Sequence, residues 1–163
     1  MLELVLEFKS YAQSITLVLV AIAAWRFGDL PEKACASVLV GVLWVADMVF
    51  WAGLGLYPDF VSTEVPALVL DVLALVLLLV IALFANRIYP LCLTSIQGLA
   101  LLSHFAAAAA SAVPLAYAIL SIAPSYLLIA VMAAGLFAHH RREQLHGPYR
   151  QWRLKRVPLP AKS

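Results

Sequence analysis

Residues 66–87 read PALVLDVLALVLLLVIALFANR, and this stretch decides the fold class. Between Ala67 and Ala85 it holds nineteen residues with a single polar interruption, Asp71. A helix rises about 1.5 Å per residue, so this length matches a hydrocarbon core about 30 Å thick. The stretch therefore predicts a transmembrane helix.

The composition of the whole chain also indicates a membrane protein. Of the 163 residues, 64% are hydrophobic and 12% are charged, whereas soluble domains have about 25% charged residues. The opening residues, MLELVLEFKS, lack a basic segment and are not followed by a small-residue cleavage site, so we predict no removable signal peptide. The expected fold is an all-α integral membrane bundle.

Outward from residues 66–87, the apolar pattern predicts five transmembrane spans. They lie at about residues 11–27, 34–56, 67–85, 91–112 and 114–138. A four-span alternative places the first segment on the membrane surface, but the run from Ile15 to Trp25 is continuous and uncharged, which favours five spans. Residues 1–138 are thus predicted to form the transmembrane bundle, and residues 139–163 a basic cytoplasmic tail.

The positions of lysine and arginine predict the orientation. Basic residues flank the first loop, lie in the third and fill the tail, whereas the second and fourth loops have none. Because these residues concentrate on the cytoplasmic side of membrane proteins, the N-terminus is predicted outside and the C-terminus inside.

Polar residues inside the spans are the first candidate site. Asp47, Asp71 and His104 fall in the outer half of the predicted bilayer, and Gln97 lies about two helical turns from His104 on the same face. A charge near the bilayer centre costs about 3 kcal/mol on insertion scales, so such groups face the bundle and pair. We expect a polar layer that links spans two, three and four. We favour a role for this layer in helix packing. The alternatives are a proton or ion relay and a ligand pocket.

A second candidate site lies on one face of span two. Asp47 has Trp44 three residues before it and Trp51 four residues after it, so a carboxylate lies between two indoles. This face suits a flat or cationic ligand. The alternative is that a tryptophan donates its ring N–H to a neighbouring acceptor or that Trp51 belongs to the interfacial aromatic belt.

His104 is also a candidate tetrapyrrole ligand. An intramembrane imidazole followed by small residues, SHFAAAAA, suits axial ligation of haem or bacteriochlorophyll. The spacing from Ala100 to His104 resembles that in bacterial light-harvesting polypeptides. No second histidine lies within a predicted span, so a bis-histidine haem would need a ligand from elsewhere.

The tail carries seven basic residues against one acid, Glu143. Beside a membrane, such a segment favours anionic lipid headgroups, and we expect no nucleic-acid partner. The residues predicted to contact these headgroups are Arg141, Arg142, Arg150, Arg153, Lys155 and Arg156.

The chain has none of the common hydrolase, metalloprotease or phosphate-loop motifs, so we predict neither an enzyme nor a metal site. The favoured role is a non-catalytic accessory or scaffold subunit of a larger inner-membrane complex, which packs against other integral membrane subunits or its own copies. One alternative is a cofactor- or pigment-associated subunit of a photosynthetic or respiratory complex that uses His104. Another is a small channel, transporter or proton relay that uses Asp47, Asp71 and His104.

From Leu70 to Arg142 the chain resembles a family of small proteobacterial polytopic inner-membrane proteins of unassigned function. The shared features are Asp71, Asn86-Arg87, Tyr89-Pro90, Gln97, His104, Ala116-Tyr117-Ala118, Ser125-Tyr126 and His140-Arg141-Arg142. Where family members have tryptophan, this chain has Ile88, Cys92 and Pro124. The resemblance implies a multi-pass protein of the bacterial inner membrane and supplies no activity.

Overall fold

The computed structural model describes residues 2–46, 48–49, 65–109, 114–147 and 151–153. Within these ranges the chain is all-α and contains one isolated β-bridge but no strand. The helices there are α1 (Leu2–Phe27), α2 (Leu30–Val40), α3 (Val65–Phe84), α4 (Tyr89–Ala109) and α5 (Pro114–His146). Helix α2 continues directly into a π-helical segment, Gly41–Ala46.

The all-α prediction is confirmed for the described residues, in which two stretches are long and apolar enough to cross a membrane. These are Ala67–Phe84 in α3 and Ala123–His146 in α5, while Ala12–Phe27 is apolar but shorter. Helix α2 begins before its predicted span, because Pro31 is tolerated in a first helical turn. Helix α5 extends past residue 138, so the first residues of the predicted tail are helical.

Each helix packs against the next one along the chain, and α5 closes the bundle against α1. Two residues join α1 to α2 and four join α3 to α4, and connections this short make the paired helices antiparallel. The Gly28–Asp29 connection, the turn at residues 85–88 and the last turn of α5 therefore lie at one end of the bundle. We call this the turn end.

Helix α3 buries a single narrow stripe. Its buried side chains are Leu70, Ala74, Leu78 and Ala82, which recur every four residues and so lie on one face. Apolar side chains around the rest of the helix are exposed, among them Val72, Val76, Leu79 and Leu83. An apolar helix that leaves most of its circumference uncovered in water would be unstable, which agrees with an apolar environment around α3.

Helices α4 and α5 approach each other closely at Gly135. A Cβ atom at this position would lie 2.5 Å from Cγ of Tyr89, so only glycine leaves room for that ring. Helix α5 ends at His146, and the next residue, Gly147, has a positive φ of 74°, the left-handed conformation that often follows a helix C-terminus. Its N–H donates to the carbonyl oxygen of Glu143 at 2.8 Å.

Candidate functional site

Among the described residues, two polar clusters lie inside the bundle, and the first joins α3 to α4. Asp71 Oδ2 lies 2.7 Å from His104 Nε2, and Gln97 Nε2 donates to Asp71 Oδ1 at 2.8 Å. Both carboxylate oxygens of Asp71 thus have a partner from α4. We call Asp71, Gln97 and His104 the His104 cluster. The structure brings together three of the four residues assigned to the polar layer, and Asp47 lies outside the described residues.

A cavity of about 260 Å³ adjoins the His104 cluster. Gln97 is fully buried, and its Oε1 atom has no hydrogen-bond partner among the described residues. Helix α5 contributes Pro124 and Ser125 to the wall, and Leu43 of the π-helical segment lines another side. A π-helical segment next to an α-helix is frequent at functional sites. The cavity offers the partly exposed carboxylate of Asp71 and imidazole of His104 to a small polar guest.

The tryptophan face of span two is described only at Trp44. Its indole Nε1 donates to Ser14 Oγ at 3.1 Å, so this ring is bound to α1. Asp47 and Trp51 lie outside the described residues.

The second polar cluster lies at the turn end and centres on Arg87. Its Nε donates to Glu32 Oε1 at 3.1 Å, and its Nη2 donates to Asp29 Oδ2 at 3.2 Å. Glu32 Oε2 accepts the backbone N–H of Asp29 at 3.2 Å. Glu32 is fully buried and Arg87 is 7% exposed. Burial of charges is tolerated only when they are paired and hydrogen-bonded, as they are here.

His139 completes this second cluster from α5. Its Nδ1 lies 3.4 Å from Arg87 Nη2, which can only donate, so Nδ1 accepts and the ring hydrogen is on Nε2. Nε2 in turn lies 3.8 Å from Asp29 Oδ2 and 3.8 Å from Glu143 Oε2. We call Asp29, Glu32, Arg87 and His139 the Arg87 cluster. It ties the start of α2, the turn at residues 85–88 and the end of α5 together.

Three members of the Arg87 cluster also have the composition of a metal site. Ligand atoms of Asp29, Glu32 and His139 all lie within 4.8 Å of one another. However, the guanidinium of Arg87 donates to both carboxylates and takes the place that a cation would occupy. The geometry therefore favours an ionic lock between helices over a metal centre.

Tyr89 precedes the span predicted at residues 91–112 in the sequence, and it packs beside the Arg87 cluster. Burial is the main cause that raises the pKa of its hydroxyl far above the usual value, and the negative charge of Glu32 acts in the same direction. The hydroxyl is therefore neutral at any physiological pH. Cys35 is buried and Cys92 is exposed, and the two thiols are not linked.

A layer of large apolar side chains separates the two clusters. Leu39, Leu78, Leu93 and Met132 come from four different helices, and each is fully buried. On α4, Leu93 lies one turn from Gln97 and one turn from Tyr89, midway between the clusters. The described residues thus stack as polar, apolar and polar layers along the bundle axis.

Part of the basic tail returns to the bundle. The N–H of Asn86 donates to the carbonyl oxygen of Gln151 at 2.9 Å, and the N–H of Arg153 donates to that of Phe84 at 2.7 Å. Trp152 forms the β-bridge with Ala85. Of the residues predicted to contact lipid headgroups, Arg141, Arg142 and Arg153 are exposed at the turn end. Arg150, Lys155 and Arg156 lie outside the described residues.

The sequence interpretation missed the Arg87 cluster. It used Arg87, the basic residue in the third loop, only as a determinant of topology. One signal was present in the sequence: acids in the first loop and bases after the third and fifth spans fall on the same predicted side of the membrane. Opposite charges confined to one end of a bundle are candidates for pairing.

The tetrapyrrole hypothesis meets a geometric difficulty at His104. The Nε2 atom already contacts Asp71 at 2.7 Å, and the adjoining cavity of about 260 Å³ lies below the range of about 300–1,000 Å³ typical of ligand pockets. Axial ligation through Nε2 would require the Asp71 contact to break. The residues present therefore suit a small guest better than a macrocycle.

Comparisons of the chain with models of protein families, with curated proteins and with solved structures found no match. Function is therefore inferred from the two clusters and the cavities beside them.

Proposed function

We propose that this chain is a five-span protein of the bacterial inner membrane, N-terminus outside and C-terminus inside, that acts as a non-catalytic accessory subunit. It packs against other integral membrane subunits or its own copies. The observation that carries the proposal is the apolar layer of Leu39, Leu78, Leu93 and Met132. Since this layer lies between the two polar clusters, it argues against a continuous path for protons or ions, and the clusters are better suited to locking helices together.

The exposed face of α3 supports a role in assembly. Val72, Val76, Leu79 and Leu83 are all exposed, and the helix has a length that matches the hydrocarbon core. Such a face packs equally well against lipid tails or another transmembrane helix, since van der Waals contact drives association in lipid. We assign the partner contact to this face.

A photo-crosslinking experiment in native membranes tests the assignment. A benzophenone amino acid at Val76 is expected to yield one discrete adduct, either with another integral membrane protein or with a second copy of the chain. The control places the same probe at Leu145, which is more exposed than Val76 but lies near the end of α5, and this variant should yield no such adduct. Adducts with lipid alone at Val76, together with a monomeric mass in mild detergent, would contradict the proposal.

A second candidate function is the binding of a small cationic or hydrogen-bond-donating ligand at the His104 cluster. Its support is the cavity of about 260 Å³ that Asp71, Gln97 and His104 line. A guest there would donate to the partly exposed carboxylate of Asp71, which would also balance a positive charge on the guest.

The Asp71→Asn variant separates the two candidates. If the cluster serves packing alone, the change lowers the free energy of unfolding by about 1 kcal/mol and nothing else changes, because interhelical hydrogen bonds in membranes are worth that much. If it holds a ligand, native mass spectrometry of the wild-type chain shows a bound small molecule that Asp71→Asn loses. Ser95→Ala is the control, because the exposed Ser95 hydroxyl bonds only within its own helix.

A further inference from the structure

A larger cavity, of about 570 Å³, opens between α4 and α5 at the turn end. It is separate from the cavity beside His104 and lies on the other side of the apolar layer. Its wall includes residues of the turn at 85–88, the second half of α5 and the returning tail. The cavity is therefore built from three segments that are distant in the sequence.

The polar part of this cavity is positively charged. Among the described residues that line it are three arginines and one histidine but no carboxylate. Besides Arg87, which donates to Glu32 and Asp29, the arginines that line the cavity are Arg142 and Arg153, and both are exposed. Arg142 stands on the last turns of α5, and the backbone pairing of residues 151–153 with residues 84–86 carries Arg153 to the same place.

Most of the remaining wall of the cavity is apolar. Val131 and Ala134 of α5 and Cys92 of α4 line it. Val131 and Arg142 are eleven residues apart on one helix, which corresponds to about 16 Å along its axis. A single guest in this groove would therefore meet arginines at one end and hydrocarbon at the other.

We propose that this groove binds one anionic phospholipid, with its phosphate at Arg142 and Arg153 and the start of an acyl chain along Val131, Ala134 and Cys92. Guanidinium groups recognise phosphate through paired charge-assisted hydrogen bonds, and basic pockets between transmembrane helices on the cytoplasmic side suit anionic headgroups. The groove differs from diffuse contact by the tail because it has a defined shape and a stoichiometry of one. The inference rests on the membrane location proposed above.

Native mass spectrometry of the full chain, released from nanodiscs that contain equal amounts of phosphatidylglycerol and phosphatidylcholine, tests this site. The wild-type chain is expected to retain one phosphatidylglycerol. The double variant Arg142→Gln, Arg153→Gln should bind it about tenfold more weakly or worse, because two basic contacts near the surface are lost. Equal retention of the two lipids by the wild-type chain would overturn the proposal.

Arg141→Gln is the matched control. It removes the same charge from the neighbouring exposed position, and Arg141 does not line the cavity. Its phosphatidylglycerol retention should stay within about twofold of the wild-type value, since diffuse surface charge is a small part of a specific contact. If Arg141→Gln weakens retention as much as Arg142→Gln does, the tail attracts lipid only by net charge and the site does not exist.

Two further measurements distinguish loss of the lipid site from misfolding and from binding of phosphate alone. If the double variant fails to fold, Ala134→Phe fills the apolar part of the groove without a change of charge and should also reduce retention. Displacement of the lipid by millimolar inorganic phosphate would show that the arginines bind phosphate alone and would overturn the acyl-chain part of the proposal.

A chain recovered from cells without detergent would contradict the membrane location, whereas an embedded chain that keeps no phosphatidylglycerol contradicts only the lipid site.

Discussion

Replacing Arg87 with methionine is expected to lower the free energy of unfolding by about 3–5 kcal/mol, the largest effect of any single change considered for this chain. Glu32 is fully buried and receives the Arg87 Nε hydrogen bond at 3.1 Å. Without the guanidinium, this carboxylate remains buried with one oxygen unsatisfied and its charge uncompensated. Breaking a buried ion pair from one side costs far more than the pair itself contributes.

Unfolding of the Arg87→Met variant is best followed by circular dichroism as a denaturing detergent is titrated into mild micelles. Arg26→Met is the control, because Arg26 is an exposed arginine near the same end of the bundle. It should change the free energy of unfolding by less than about 1 kcal/mol. Equal effects of the two variants would show that Arg87 contributes only surface charge.

The double variant Glu32→Met, Arg87→Met provides a sharper test of the cause. Removing both members leaves no unpaired buried charge between them, so much of the lost stability should return even though a native ion pair is absent. Asp29 keeps its partial exposure to solvent and tolerates the loss of Arg87 more easily. A double variant less stable than Arg87→Met would mean that Glu32 has a stabilising role beyond this pair.

Truncating Leu78 to alanine is expected to lower the free energy of unfolding by about 2–5 kcal/mol. Leu78 is fully buried in the apolar layer between the two polar clusters, and close-packed neighbours collapse only partly into the space that a shortened side chain leaves. The same detergent titration measures the loss.

Leu79 offers a control on the next residue of the same helix. It is 43% exposed and lies outside the buried stripe of α3, so Leu79→Ala removes the same atoms without leaving an internal cavity. The expected loss is below about 1 kcal/mol. Equal losses from both variants would mean that α3 is surrounded by protein in its native state, which would favour a tightly bound partner over a lipid-facing helix.

The His104 cluster was partly predictable from the sequence. Asp71, Gln97 and His104 have to face the bundle because isolated polar groups are costly in hydrocarbon, and their depths along the predicted spans placed them in the same half of the bilayer. Their depths did not specify that one carboxylate would accept from both Gln97 and His104. That arrangement depends on the rotation of α4 against α3, which many side chains determine together.

The Arg87 cluster was not predictable at the level of contacts. Its members lie at residues 29, 32, 87 and 139, and no local pattern links them. The same holds for the cavity between α4 and α5, which Arg153 lines only because the chain after α5 returns to pair with residues 84–86.

The sequence by itself determined that the chain is helical and that α3 is long and apolar enough to cross a membrane. It also determined that basic residues concentrate in the first and third loops and the tail, which lie on the same side of the predicted bundle. These properties follow from composition and from spacing within single segments, which are local. Only the tertiary structure decided which face of α3 is buried, which charges pair, and that an apolar layer of Leu39, Leu78, Leu93 and Met132 separates the clusters. The physical reason is that an apolar helix in lipid has little intrinsic preference for one face, so packing with its neighbours, and not hydrophobicity, selects the contacts.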